Sequence, residues 1–369
     1  MLVTSIITRL PPAVDGVGDY ALNVALRLRK DFDLETHFVV GDPTWTGATK
    51  IEGFLIHPVS GCSANALLSL LPSDRQQPTT VLLHYVNYGY AKRGCPVWLV
   101  DGLQRWRSAS VNRSVVTMFH EVYATGPPWT SSFWLSPLQR SLAARVAQLS
   151  DRCLTSRQGY AKLLSELSLG KQTQIPTLPV FSNLGEPGWV PPLVERERRV
   201  VVFGSSSNRL RVYRESFAKL ELTCQLLGIK EIWDIGPSTS LTLSTVNGVP
   251  VVQLGQLSAA EISGFLLNSL AGFFDYNPDF LAKSGIFAAY CAHGLLPVSA
   301  RCSALPVDSI EAGKHYWMPD GQRKGLKNLV KLQAIADNAH TWYQTHNLSL
   351  HARIFFRHLN NSTTSLKKN

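Results

Sequence analysis

Short apolar runs alternate with amphipathic stretches along almost the whole chain, and this alternation limits the fold more than any other feature. In the first half the runs at 2–7, 36–40, 80–84, 115–120 and 152–155 read as strands, and the stretches at 19–30, 97–107, 137–149 and 157–167 read as helices. Ser136 as cap and Pro137 as first residue predict the start of the helix at 137. A strand that returns through a helix comes back parallel to the first, so the expectation is a parallel sheet covered on both faces.

At 369 residues the chain is too long for one ordinary core. The stretch 176–199 carries five prolines, two glycines and a cluster of charges, and the spacing predicts a linker there, over 181–198. Alternation then restarts: strands at 199–204, 231–236, 249–255, 271–275 and 295–300, and helices at 215–227, from a capping box at Ser258 and Glu261, and at 284–293 with Gly294 as its stop. The expected organisation is a domain over 1–180, the linker, a second domain over 199–345, and a C-terminal helix and tail over 346–369. The stretch from about 326 to 358 reads as helical and the final SLKKN as a frayed tail.

Composition excludes several classes. With 45% apolar and 17% charged residues the chain is globular. No run of 18 apolar residues is present, and MLVTSIITRLPP reads as a first strand, so a cytoplasmic protein is expected. The six cysteines form no C-x-x-C pair and read as reduced thiols. No metal-ligand spacing occurs, so no metal is expected. The net charge of +10 suits an anionic ligand or an anionic membrane face; without a basic stripe interleaved with aromatics, no nucleic-acid partner is expected. The aromatic stretch 127–137 reads first as a packed loop, and second as a stacking wall or a membrane edge.

In open parallel sheets ligands bind at the carboxyl ends of the strands. The polar and glycine residues at those ends are Asp15, Gly16, Gly18 and Asp19, then His84, then His120 and Glu121 in the first half. The second half offers Gly204, Ser205, Ser206, Ser207, Arg209 and Arg211, then Asp234 and Gly236, then Asp275, Tyr276, Asn277, Asp279, Lys283 and Ser284. Gly16-Val-Gly18-Asp-Tyr-Ala21 matches the dinucleotide pattern G-x-G-x-x-A, but TRLPPAVD separates it from the strand. Glycines ahead of a helix let backbone N–H groups approach a phosphate or a sugar hydroxyl. GSSSNR at 204–209 is a second such loop, with Arg209 or Arg211 available to a diphosphate.

Two stretches carry a family resemblance. PPAVDGVGDYALNVALRL at 11–28 resembles the N-terminal loop and helix of glycosyltransferase family 4. The segment from Val251 to Val298 resembles that family's donor-binding segment, in which strand, helix, strand and a helix ending A-x-G-x-P-V-V follow in this order. The resemblance implies the GT-B fold, an α/β architecture of two doubly wound Rossmann-like domains facing a cleft. It implies transfer of a sugar, hexose or similar, from a UDP- or GDP-sugar donor to a saccharide or lipid-linked acceptor, in polysaccharide or glycoconjugate synthesis. Neither a metal nor a further cofactor is implied, and peripheral contact with the inner face of an anionic membrane is compatible with it. The first domain would face the acceptor and the second would hold the donor, with Gly204, Ser205, Arg209, Arg211, Asp275, Lys283 and Ser284 around it and Gly16 and Gly18 on the other wall. His120, Asp19 and Glu121 are the base candidates if the reaction inverts. The family's two glutamates eight positions apart fall on Leu281 and Ala289, neither of them acidic. Two alternatives stay open: a non-catalytic nucleotide- or sugar-binding protein of the same fold, and an NAD-dependent oxidoreductase with Asp42 as its ribose contact.

Overall fold

The computed structural model describes residues 1–74, 76–240, 243–319 and 329–364. The expected tail SLKKN lies outside the described residues. The chain forms two compact units: Met1–Pro179 together with the chain from Leu348 onward, and Val180–Asn347.

The first unit runs β1 (Leu2–Ile7), α1 (Gly16–Phe32), β2 (Glu35–Val40), β3 (Lys50–Ile51), β4 (Phe54–Pro58), α2 (Ala64–Leu68), β5 (Thr79–Tyr85), α3 (Asn87–Tyr90), α4 (Val97–Ser108), β6 (Arg113–Phe119), α5 (Ser131–Leu149), β7 (Arg152–Thr155) and α6 (Gln158–Leu167). Its strands order as β3-β4-β2-β1-β5-β6-β7, all parallel except the β3–β4 pair. The second unit runs β8 (Glu197–Phe203), α7 (Ser206–Glu215), α8 (Phe217–Leu227), β9 (Glu231–Ile235), β10 (Thr245–Val246), β11 (Val249–Gly255), α9 (Ala259–Asn268), β12 (Ser269–Phe274), α10 (Gly285–Ala292), β13 (Leu296–Ser299) and α11 (Leu329–Gln344). Its order is β10-β11-β9-β8-β12-β13, parallel except for β10. The last helix, α12 (Leu348–Thr364), packs on the first unit.

Both sheets are doubly wound. Each first strand has its second on one side and a later strand on the other, so chain order reverses between β1 and β5 and between β8 and β12. Burial on both faces explains the continuous apolar runs: β6 is buried along its whole length, and so is β12. In the first unit, Leu83, Phe119, Trp106 and Val146 pack on one face while Ile7, Ala21, Phe38 and Ile56 pack on the other.

Several expectations need correction. Helix α5 begins at Ser131, not 137, and Pro137 lies inside it, where its ring removes only one intrahelical bond. The helix expected over 215–227 is α8, starting at Phe217, and a further helix, α7, precedes it up to Glu215; between them the Ser216 hydroxyl donates to Asp275 at 2.8 Å. The helical stretch after 326 is also two helices, α11 and α12, with 326–328 outside the described residues. Residues 181–198, read as a linker, pack into the second unit. Ser182 N donates to Tyr343 Oη at 2.9 Å, Leu193 N to Gln333 Oε1 at 2.6 Å, and Arg196 reaches the carbonyls of Pro191 and His293 at 2.8 Å. Proline richness marks irregular backbone, and here side chains satisfy that backbone.

The opening glycines have an internal explanation. Asp15 caps α1, accepting from Val17 N at 2.9 Å and Gly18 N at 3.3 Å, while Thr8 Oγ1 donates to its other oxygen at 2.7 Å. A Cβ on Gly18 would lie 2.1 Å from the Arg9 carbonyl oxygen, whereas one on Gly16 would meet nothing within 4 Å. Gly18 therefore lets the helix start against the backbone of the preceding loop. Gly18→Ala is expected to destabilise the protein by about 2 kcal/mol and Gly16→Ala by well under half of that; urea unfolding of the two variants checks the difference.

Candidate functional site

The two strand reversals are where a doubly wound sheet can take a ligand, and the two units treat theirs differently. In the first unit the reversal between β1 and β5 is filled. Tyr90 Oη sits 3.2 Å from Ile6 O and 2.9 Å from His84 O, and a Cβ on Gly89 would come 2.3 Å from Thr8 Cγ2. Asp15 takes the first N–H groups of α1 and sets a carboxylate at that helix end, which disfavours a phosphate there. Gly18, expected in a phosphate-contacting loop, is held by Asp15 and packed on the Arg9 carbonyl, whereas at Gly16 a Cβ would meet nothing within 4 Å. Asp42, the residue needed for an NAD ribose, binds Arg9 at 2.6 Å and Thr44 at 2.7 Å.

Beside this plug lies a buried histidine and aromatic cluster. His84 Nδ1 and His120 Nε2 are 3.1 Å apart, and the Tyr20 ring stands edge-on to His120 at 4.9 Å. His84 Nε2 is buried and meets no hydrogen-bond partner among the described residues. A proton on Nδ1, donated to His120, therefore leaves only a lone pair unmatched. Burial pushes His84 down to about 3, so it is neutral near pH 7. Tyr20 Oη meets His351 Nδ1 at 2.8 Å, and His351 Nε2 meets Pro179 O at 3.0 Å. A carbonyl only accepts, so Nε2 carries the proton and Nδ1 accepts from Tyr20. His351, brought by α12, is likewise held neutral by burial, pushed down to about 3. Asp19 sits one residue before Tyr20, and burial with help from the Asp15 charge raises it to about 6. Glu121 follows His120, its N–H directed at Tyr85 O at 3.4 Å.

In the second unit the reversal holds a small pocket. A pocket between the carboxyl ends of β8 and β12 is lined by Val202, Phe203, Asn208, Asp275, Ser284 and Ile286, with about 10 Å³ for a water centre, room for roughly one water. Two helices begin around it. Ser205 caps α7 through Asn208 N at 3.3 Å, and Ser284 caps α10 through Phe287 N at 3.2 Å. At the start of α10 a Cβ on Gly285 would meet nothing within 4 Å. Gly204, at φ +129°, turns the chain out of β8 with a backbone suited to glycine.

Arg209 departs from expectation. Its side chain is 3% exposed and its three nitrogens are all engaged: Nη1 pairs with Asp234, Nη2 meets Pro237 O, and Nε donates to Gly204 O at 3.1 Å. It ties the ends of β8 and β9 together, with its buried guanidinium turned to Asp234 and two loop carbonyls. Burial raises the Asp234 carboxyl, with Arg209 opposing. A Cβ on Gly236 would come 2.8 Å from Arg209 Nε, so the glycine makes room for that guanidinium. Arg211 stays near the pocket wall, its Nη2 donating to Asn208 Oδ1 at 2.8 Å. Lys283 and Ser284 lie where the chain enters α10.

Sequence reasoning missed Arg301. It lies two residues beyond β13 and forks onto Asp275, with Nε to Oδ1 at 2.7 Å and Nη2 to Oδ2 at 3.2 Å. Glu215 Oε2 shares the same Nη2 at 3.2 Å, and Asp275 with Glu215 raises the guanidinium further. The missed signal is positional: Arg301, like Asp275, follows the carboxyl end of a strand. The positions of the family's paired glutamates, Leu281 and Ala289, are buried at 1% and 0% exposure. Among the described residues, no group of three or more His, Cys, Asp or Glu side chains is placed to hold a metal ion.

The pH dependence of Asp19 has a definite sign. Between about pH 4 and 6 the unfolded chain ionises this carboxyl while the folded one keeps its proton, so its contribution to stability falls as pH rises. The wild type is expected to lose ground against Asp19→Asn across that window; melting temperatures of both proteins from pH 4 to pH 7 test it, and a constant gap refutes the raised carboxyl. His84 and His351 act oppositely, losing stability as pH falls from 6.5 toward 3 in both proteins alike.

No family model matches the chain, and no curated protein does. Among solved structures, an α,α-trehalose-phosphate synthase (UDP-forming) from Burkholderia xenovorans, in complex with glucose-6-phosphate, aligns at TM-score 0.60 and 12% identity over 97% of this chain and 99% of that one. The pneumococcal O-GlcNAc transferase GtfA, in complex with UDP and GlcNAc, aligns at 0.59 and 8% identity over 98% and 99%. An α-glucosyltransferase in complex with UDP and a 13-mer DNA aligns at 0.56 and 11% over 98% and 99%. At these identities the likeness shows the fold: two Rossmann-like units of GT-B type.

Proposed function

We propose that the chain is a glycosyltransferase that moves a sugar from a nucleoside-diphosphate donor to a saccharide or lipid-linked acceptor, with the donor in the second unit. One observation carries this reading: the β8–β12 reversal holds a small pocket flanked by the starts of two helices, whereas at the β1–β5 reversal Tyr90 bonds the carbonyls of both strands. Helix N-termini favour an anion, and a leaving diphosphate gains charge in the transition state. The three solved structures have names or bound ligands that include UDP, which supports a UDP donor here.

The chemistry assigned to each residue follows from that placement. Ser284 and Gly285 present the start of α10 to the diphosphate. Arg211 and Lys283 supply the cations in place of Arg209, so the reaction needs no metal. Arg301 and Ser216 hold Asp275 at the pocket wall. In the first unit Asp19, raised to about 6, is poised as a base near neutral pH, with His120 and Glu121 beside the same sheet end. Membership of glycosyltransferase family 4, hexosyl specificity, a role in polysaccharide or glycoconjugate synthesis and a cytoplasmic, membrane-peripheral location all belong to this proposal.

A second reading has its own observation. The buried, apolar Leu281 and Ala289 leave no acid where family 4 carries its glutamate pair, which favours a non-catalytic nucleotide-sugar-binding protein. Thermal titration with UDP, GDP, ADP, CMP and NAD separates these readings. One nucleoside diphosphate is expected to stabilise the protein, by about 2.7 kcal/mol at a hundredfold excess over Kd, with EDTA making no difference. Lys283→Ala and Arg211→Ala should each weaken that binding about tenfold. Stabilisation by NAD alone would overturn the proposal. Binding of the diphosphate sugar with no release of sugar to water or any acceptor would leave the second reading.

A further inference from the structure

The β6–α5 connection was read from sequence as a packed loop, and the structure turns it outward. Within ten residues, Trp129 is 85% exposed, Phe133 42%, Trp134 73% and Leu138 44%. Single exposed apolar residues are ordinary, but a cluster of aromatics marks a surface that meets something. Internal bonds hold the cluster in place. Thr130 N and Oγ1 donate to Pro127 O at 2.9 and 2.7 Å, and Phe133 and Trp134 meet edge to face at 5.3 Å. Trp134 Nε1 donates to Pro128 O at 2.9 Å, so that indole can leave bulk water with its one donor matched.

Cations border the cluster. Arg140 is exposed on the next turn of α5, and the exposed Lys92–Arg93 turn is fastened to the same helix, because Gln139 Nε2 donates to Arg93 O at 2.9 Å. No aspartate or glutamate occurs from residue 75 to 100 or from 122 to 150. Asp101 and Asp151, which follow those stretches, are paired with Arg145 at 2.6 Å and Arg107 at 3.2 Å, and Glu121 precedes the second.

We propose that this surface docks the protein on an anionic lipid bilayer. Trp129, Phe133, Trp134 and Leu138 enter the interface, and Lys92, Arg93 and Arg140 meet the headgroups. Tryptophan suits that depth, since its ring is apolar and amphipathic, and basic residues gain energy from the negative surface potential. A second copy of the chain fits less well: a two-fold contact through this face would set the same cations against each other. The inference deepens the membrane-peripheral location proposed above and rests on exposed residues of the first unit, so vesicle binding tests it separately from nucleotide binding.

Co-sedimentation of the full chain tests it, with vesicles of phosphatidylcholine alone and of phosphatidylcholine with about a third phosphatidylglycerol. Binding is expected to the anionic vesicles and to fall with salt. Trp129→Ser with Trp134→Ser should reduce it about tenfold, and Lys92→Glu or Arg140→Glu about fivefold each. Melting temperature and the response to nucleotide should stay unchanged, which shows that the variants fold. Equal sedimentation with neutral and anionic vesicles, or variants that bind like the wild type, would overturn the proposal. So would a concentration-dependent dimer or single-stranded oligonucleotide binding that the same variants abolish while vesicle binding persists.

Discussion

The constraint on which the rest depends is the reversal of strand order in a parallel sheet. Right-handed crossovers place successive helices on one face until the chain returns past its first strand, and the next helix then falls on the other face. The loops at that point diverge and leave a crevice at the carboxyl ends of the strands. In this protein both sheets reverse beside their first strand, β1 and β8. What each unit does with its crevice decides what it can bind.

The first unit closes its crevice. Tyr90 caps the ends of β1 and β5, Gly89 lets the chain pass Thr8, and Asp15 covers the start of α1. Beside this plug His84 meets His120, and α12 brings His351 to Tyr20. Burial sets their charge: His84 and His351 stay neutral and Asp19 holds its proton to about pH 6. The second unit keeps a small pocket in its crevice and uses Arg209 to brace the rim. Asp234, Pro237 and Gly204 all meet that one guanidinium, so the loop after β8 and the loop after β9 are fixed together. Removing one partner of so buried a pair leaves an unmatched charge, so Arg209 and Asp234 hold the rim together.

Much of the architecture was legible in the sequence. The strands at 2–7, 152–155 and 249–255 match the observed bounds, and the capping box at Ser258 and Glu261 and the αL stop at Gly294 are present. Local signals of this kind need only neighbours in the chain. They failed where two starts competed, as at Thr130 and Ser136, and missed α7, which ends one residue before Ser216. For the candidate site, sequence identified which strand ends carry polar residues but not which of those residues face a ligand. Arg209 and Asp234 were both collected, and only their approach in space shows that they consume each other's charge.

The sequence by itself determined the class of the fold, two doubly wound α/β units, because hydrophobic period and strand-helix alternation are properties of the chain. It also determined the acid-free stretches and the net charge. Tertiary structure alone decided which glycine loop is a structural contact, which crevice keeps a pocket, which arginine braces and which holds Asp275, and that α12 returns to the first unit. It also turned Trp129 and Trp134 outward. The physical reason is the same in each case. Burial and pairing depend on what stands across a gap of a few ångströms, and residues there, such as Tyr20 and His351, lie hundreds of positions apart in the chain.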